Sequence, residues 1–199
     1  MTTLLLATTN AGKLAEIRLI LEGLPLNLAS LADFPAIPEP EEPGPTFAAN
    51  AGHKARYYAR ASGLLTVAED SGLEIAALDG APGVQSARFP GETYPDKFAR
   101  LYAMLDARGA ARASPARFVC RVALAQGDTV IFEAEGTIEG TVAPEPRSAG
   151  GFGYDPIFVY PPWNRTLAEV PASDKAEVSH RGRAFRALRR FLEQRELAF

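Results

Sequence analysis

Residues 68–75 read Ala-Glu-Asp-Ser-Gly-Leu-Glu-Ile, directly after the apolar run Leu64–Val67. A short apolar run bounded by polar residues is the pattern of a buried strand, here Leu64–Ala68, with Glu69 and Asp70 at its carboxyl end. Like charges this close repel, and burying either one is costly unless something positive compensates. The carboxyl ends of strands are also where open α/β sheets place their ligands. The pair therefore marks a candidate site and raises the question of which cation answers it.

Upstream, Thr3–Ala7 reads as a short buried strand, 8–12 as a loop, and 13–23 as a helix closed by Gly23. Leu26–Leu31 is a second strand. The stretch from Pro35 to Pro45 holds five prolines and three glutamates, which exclude regular structure and leave a stiff, acidic loop. Thr46 is placed to cap a helix running to Gly63, with Phe47, Ala51, Ala55, Tyr58 and Ala61 near one face. Downstream, Leu73–Leu78 is a further strand candidate, 79–83 is turn chemistry, and Tyr94–Arg108 is a helix. Ala116–Ala125 and Thr129–Gly136 alternate about a Gln-Gly-Asp turn and form a hairpin, which Ile138–Ala143 extends. Ile157–Tyr160 is a short strand. Arg181–Glu196 is a closing basic helix with Ala184, Leu188 and Leu192 inward. The expected architecture is α/β with a mixed central sheet flanked by helices, in a single domain over 1–199.

Composition narrows the function classes. With 47% hydrophobic and 23% charged residues, the 199-residue chain is of the ordinary globular kind. A net charge of −3 gives no overall basic field to hold a nucleic acid backbone, so no nucleic acid partner is expected. The single cysteine, Cys120, lies in an alternating strand run, which favours a packed residue over a nucleophile and fits a reducing compartment. The N-terminal segment lacks a basic n-region, and no run approaches the ~18 apolar residues of a membrane span. A cytoplasmic protein with no membrane partner is expected.

Four groups carry chemistry. Thr8-Thr9-Asn10-Ala11-Gly12-Lys13 sits between a strand and a helix, where N–H groups, the helix dipole and a lysine could hold an anion. The spacing is not that of a Walker loop, and a plain strand-to-helix turn is the competing reading. Glu41 and Glu42 with Glu69 and Asp70 supply hard oxygen donors suited to Mg²⁺, with a solvated acidic loop as the alternative for the first pair. Gly150–Pro156 frames Phe152 with glycines and follows it with Asp155, offering a stacking face to a base or else a glycine-rich turn whose ring returns to the core. Lys175, His180 and Arg181 gather donors before the closing helix. With only His53 as a second histidine, a histidine metal centre is not expected.

Taken in order, the blocks at 8–13, 41–55, 69–73, 80–89 (Gly-Ala-Pro-Gly-Val-Gln-Ser-Ala-Arg-Phe), 150–158 and 179–184 (Ser-His-Arg-Gly-Arg-Ala) resemble the Ham1 family of inosine/xanthosine triphosphate pyrophosphatases. The resemblance spans nearly the whole chain. It implies two lobes with an active-site cleft between them, a homodimer, and Mg²⁺-dependent hydrolysis of non-standard purine nucleotides (ITP, dITP, XTP) to monophosphate and pyrophosphate. Carried residue by residue, it implies that Thr8, Thr9, Asn10, Lys13, Asn50, Lys54 and Ser71 contact the substrate. Glu42, Asp70 and Glu69 become the metal-binding acids, and Asp70 the general base. Phe152, Gly153, Tyr154 and Asp155 hold the base, with Lys175, His180 and Arg181 completing the pocket.

The base preference has its own logic. A 6-keto purine presents an acceptor where adenine presents a donor, so a fixed donor such as Arg181 or His180 would be left unpaired by adenine. Two alternatives are kept in view: a pyrophosphatase for modified pyrimidine nucleotides, and a non-catalytic nucleotide sensor.

Overall fold

The structure, a computed structural model, describes residues 2–35 and 37–194. Seven strands form one sheet in the order β2-β1-β3-β4-β5-β6-β7. They are β1 (Thr3–Leu6), β2 (Asn27–Ser30), β3 (Leu65–Ile75), β4 (Pro115–Gln126), β5 (Thr129–Val142), β6 (Phe158–Tyr160) and β7 (Arg165–Thr166). The helices are α1 (Ala11–Leu21), α2 (Phe47–Ser62), α3 (Tyr94–Ala107), α4 (Ala172–Val178) and α5 (His180–Gln194). β1 pairs in parallel with β2 and β3, whereas β5–β6 and β6–β7 are antiparallel. The sheet is therefore mixed, as expected. The chain divides into two compact units, one made of the residues up to Asp70, Cys120–Gly136 and those from His180 onward, the other of Ser71–Val119 and Thr137–Ser179.

In the first unit Leu4, Leu5 and Leu6 are fully buried, the continuous apolar run of a parallel strand covered on both faces. Each such side chain contributes about 1.5–3 kcal/mol of transfer free energy. α1 starts where the Asn10 side chain accepts from the Lys13 N–H, two residues before the expected start. α2 is capped by Thr46 and ends at Gly63, whose φ of +70° is the left-handed conformation that closes many helices. The alanines Ala51, Ala55 and Ala59 of α2 meet Leu5, Ala68 and Ala123 of the strands in one core, small residues that let helix and sheet approach closely. α5 packs on α1.

The second unit has its own core, in which Leu73, Ile75, Phe98, Leu101, Phe118, Tyr154, Ile157 and Phe158 are buried together. α3 begins with a capping box: Thr93 Oγ1 accepts from the Asp96 N–H, and the Thr93 N–H donates to Asp96 Oδ2.

Two expected strand ends are overturned. Instead of strands at 64–68 and 73–78, β3 runs unbroken from Leu65 to Ile75 and is followed by a 3₁₀ turn at Ala76–Leu78. Glu69 and Asp70 thus lie within the strand. Gly72 is not a breaker: a Cβ there would come within 2.5 Å of both Ser86 Oγ and the Gly83 carbonyl, so glycine serves a close approach of the chain. The second expected end, Gly136, is likewise interior to β5, and a Cβ there would collide with the carbonyl of His180 at the start of α5. α4 was not anticipated from the sequence. The expected reach of the closing helix to Glu196 lies outside the described residues, as does Ala36 of the proline loop.

Candidate active site

Successive side chains of a strand point to opposite faces, so neighbouring Glu69 and Asp70 enter different surroundings. On the Asp70 face, Asn50 and Lys54 stand one turn apart on α2 and so share a side of it. Asn50 Nδ2 donates to Asp70 Oδ2 at 2.9 Å, and Lys54 Nζ lies 3.8 Å from Asp70 Oδ1. Lys54 is also ion-paired with Glu42 from the proline loop. The loop is tied down by its own backbone, because the Gly44 N–H donates to Asn50 Oδ1 at 2.8 Å. Burial raises the Asp70 carboxyl above the usual range. Lys54 and the Asn50 hydrogen bond oppose that rise, and Glu42 and Glu69 add to it. A carboxylate raised in this way is better matched to accepting a proton near neutral pH.

The Glu69 face is richer in cations. Glu69 Oε1 receives Lys13 Nζ at 2.7 Å and Arg181 Nη2 at 3.2 Å, and Oε2 accepts from Cys120 Sγ at 3.3 Å. Arg181, in the first turn of α5, also donates through Nη1 to Glu16 Oε2 at 2.6 Å. Burial works to raise the Glu69 carboxyl, yet Arg181 and Lys13 outweigh it and hold the group well below the usual carboxylate range. Burial pushes the Cys120 thiol up, with Glu69 adding to the shift, so the sulfur stays protonated and donates. Glu16 was missed by the sequence reading. Its signal was present, since it follows Lys13 by three residues on α1 and sits inward beside Ile17 and Ile20. Removing one partner from a buried network of this kind costs about 3–5 kcal/mol.

The segment before α1 is occupied with local structure. Thr8 Oγ1 accepts from the Asn10 N–H at 3.2 Å, Asn10 Oδ1 caps the helix, and Thr9 and Asn10 are exposed. His180 begins α5 and is buried.

In the second unit, Asp155 and Lys175 form an ion pair at 2.5 Å, with both residues buried. Asp155 Oδ2 also accepts from the Phe152 N–H at 2.8 Å, and Lys175 Nζ lies 4.4 Å from the centre of the Phe152 ring. One ion pair thus grips this aromatic residue by its backbone and by its face. A Cβ at Gly151 would strike Asp155, and Gly151 and Gly153 hold φ of +66° and +64°, which explains the glycines around Phe152. Tyr154 is a core residue, with its hydroxyl donating to the Ser86 carbonyl at 2.8 Å and its ring edge-on to Tyr94. Ser71 is half-buried on β3. A cavity of about 570 Å³ adjoins Phe152 and is walled chiefly by Tyr94, Phe98 and Tyr102, a size in the range of small-molecule pockets.

Of the residues singled out from sequence, the first unit brings together Glu42, Asn50, Lys54 and Asp70 on one side of β3. It gathers Lys13, Glu69 and Arg181 on the other. The second unit brings together Phe152, Asp155 and Lys175. Among the described residues no three or more His, Cys, Asp or Glu side chains converge as a metal centre. Glu42 and Asp70 nevertheless meet over one cation, the Lys54 ammonium, and are the hard oxygen donors that Mg²⁺ takes in ones and twos alongside water and phosphate oxygens. The donor set fits such an ion. No helix among the described residues is long and apolar enough to cross a membrane.

Comparison with known proteins places the chain. The chain is 46% identical over 191 residues to the dITP/XTP pyrophosphatase of Geobacter sulfurreducens, covering 95% of this chain and 96% of that one. It is 47% identical over 192 residues to the dITP/XTP pyrophosphatase of Streptomyces coelicolor, covering 94% and 96%. Among solved structures, a HAM1 protein from Coxiella burnetii superposes with a TM-score of 0.89 at 39% identity, covering 98% of this chain and all of that one. The Ham1 protein of Staphylococcus aureus gives 0.85 at 32% identity, again over 98% and 100%. The model of the Ham1 family matches residues 4–191, and this chain belongs to the Ham1 family.

Proposed function

We propose that this chain is a nucleoside triphosphate pyrophosphohydrolase that converts dITP, ITP and XTP to the monophosphate and pyrophosphate. The observation that carries this reading is the Asp70 face of β3. There a carboxylate with a raised pKa is held by Asn50 and Lys54 beside a second carboxylate, Glu42. A protein that merely binds triphosphates has little use for a positioned base.

In this reading Asp70 takes the proton of a water that attacks the α-phosphorus in line. Lys13 and Lys54 offset charge on the leaving pyrophosphate, and Lys13 is ion-paired with Glu69. Glu42 and Asp70 would hold Mg²⁺, which when bound neutralises charge on the polyphosphate. Glu69, committed to Lys13, Arg181 and Cys120, supports the site as a clamp. Phe152, anchored by Asp155 and Lys175, offers the second unit an aromatic face for a purine. Arg181 and His180 are the donors expected at a 6-keto group. A homodimer and a cytoplasmic setting belong to the same reading, and the chain's one cysteine, reduced and buried, suits such a setting.

The test is a panel of all common and deaminated triphosphates, with dUTP and methylated pyrimidine triphosphates, assayed for pyrophosphate with and without Mg²⁺. Fast Mg²⁺-dependent release from dITP and XTP, and slow release from the rest, is expected. Equal rates on pyrimidine analogues would overturn the reading. Light scattering on the purified chain decides the homodimer.

A further inference from the structure

We infer that Asn50 is a positioning residue that locks the proline loop to β3 and so sets the spacing of the Glu42 and Asp70 carboxylates, instead of contacting the nucleotide. The inference rests on the functional reading above for the role of those two acids.

The geometry is specific. Asn50 is 1% exposed and lies in the first turns of α2, so its short side chain has no freedom to reach solvent. Both ends of its carboxamide are used: Oδ1 accepts the Gly44 N–H at 2.8 Å, and Nδ2 donates to Asp70 Oδ2 at 2.9 Å. Gly44 lies two residues after Glu42, and a Cβ at Gly44 would come within 3 Å of Asn50 Oδ1 and Ala49 Cβ. At Gly44 the loop therefore approaches α2 so closely that only glycine fits. Lys54, one turn further along the same helix, bridges Glu42 and Asp70. Asn50 and Lys54 thus form two parallel ties between the same partners, one neutral and directional, the other charged and long-reaching. The ammonium sets charge balance, but a single ammonium does not orient a carboxylate. The carboxamide does, because it presents a donor to one named oxygen of Asp70 while its acceptor is held by a backbone N–H. Aspartate at position 50 would keep the tie to Gly44 and lose the donor to Asp70, so the two halves of the bridge are separable.

The experiment compares wild type, Asn50→Ala, Asn50→Asp and Asn50→Gln by steady-state kinetics on dITP, by Mn²⁺ binding without nucleotide, and by thermal unfolding. Loss of a partner behind a metal-holding carboxylate weakens metal affinity or turnover by about 10–100-fold. Asn50→Ala and Asn50→Asp should each lower kcat by that order and weaken Mn²⁺ binding, with KM for dITP changed less than about threefold. Asn50→Gln, which keeps donor and acceptor on a longer stem, should recover part of both. A rise in KM with kcat unchanged would make Asn50 a nucleotide contact and overturn the inference. Loss of unfolding temperature with unchanged kcat and Mn²⁺ affinity would reduce Asn50 to a structural residue and also overturn it. Should the wild type fail to turn over dITP, the functional reading falls, while the Mn²⁺ comparison still decides whether Asn50 orders the two carboxylates.

Discussion

The two faces of β3 in the first unit carry adjacent carboxylates with opposite properties. Glu69 is fully surrounded by Lys13, Arg181 and Cys120 and is held ionised. Asp70 meets the Lys54 ammonium at 3.8 Å and the Asn50 amide donor at 2.9 Å, and its carboxyl is raised. The same chemical group one residue away is held ionised or raised in pKa according to the charges that face it. Net charge of the neighbourhood, more than burial, separates the roles, since both groups are buried.

That contrast can be broken from the Asp70 side first. Asp70→Asn removes the proposed proton acceptor while keeping a hydrogen-bonding group, so turnover of dITP should fall by about 10²–10⁴-fold with the unfolding temperature nearly unchanged. Wild-type turnover in this variant would move the base elsewhere. The converse change, Glu69→Ala, should act on stability: it strands Arg181 and Lys13, and a loss of about 3–5 kcal/mol is expected in urea unfolding. A loss under 1 kcal/mol would show that Glu69 is not a clamp.

The pH dependence sharpens the same point. The Glu69 pKa is lower folded than unfolded, so its contribution to stability is complete above the unfolded value, about pH 4–5, and is lost as pH falls further. Glu69→Gln should flatten the acid limb of stability against pH, and an unchanged limb would contradict the assignment. Away from the strand, Phe152→Ala removes a stacking face and should raise KM for dITP by about 10–100-fold with a smaller change in kcat. The smallest effect concerns Cys120. Its buried thiol, pushed up in pKa, should resist thiol reagents at neutral pH in the folded protein and react at once in urea. Ready labelling of the native chain would show that this face opens.

Much of this was legible in advance. Helix caps at Thr46 and Gly63, the Tyr94 helix and the mixed sheet follow from local chemistry that a linear reading can see. The glycines misled it. Gly72 lies in the gap expected between two strands and Gly136 at an expected strand end, yet each is an interior position where another part of the chain passes too close for a Cβ, and only the folded chain reveals that neighbour. Glu16 escaped because its partner Arg181 lies 165 residues away.

By itself the sequence determined which groups exist and which short-range elements carry them: a pair of acids after an apolar run, an asparagine and a lysine one turn apart on a helix, a glycine-framed phenylalanine. Only the tertiary structure decided what each acid does. Strand alternation sends Glu69 and Asp70 to opposite faces, and the charges awaiting them come from α1, α2, α5 and the proline loop. Ionisation equilibria depend on distance in space, and that distance is not written in the order of residues.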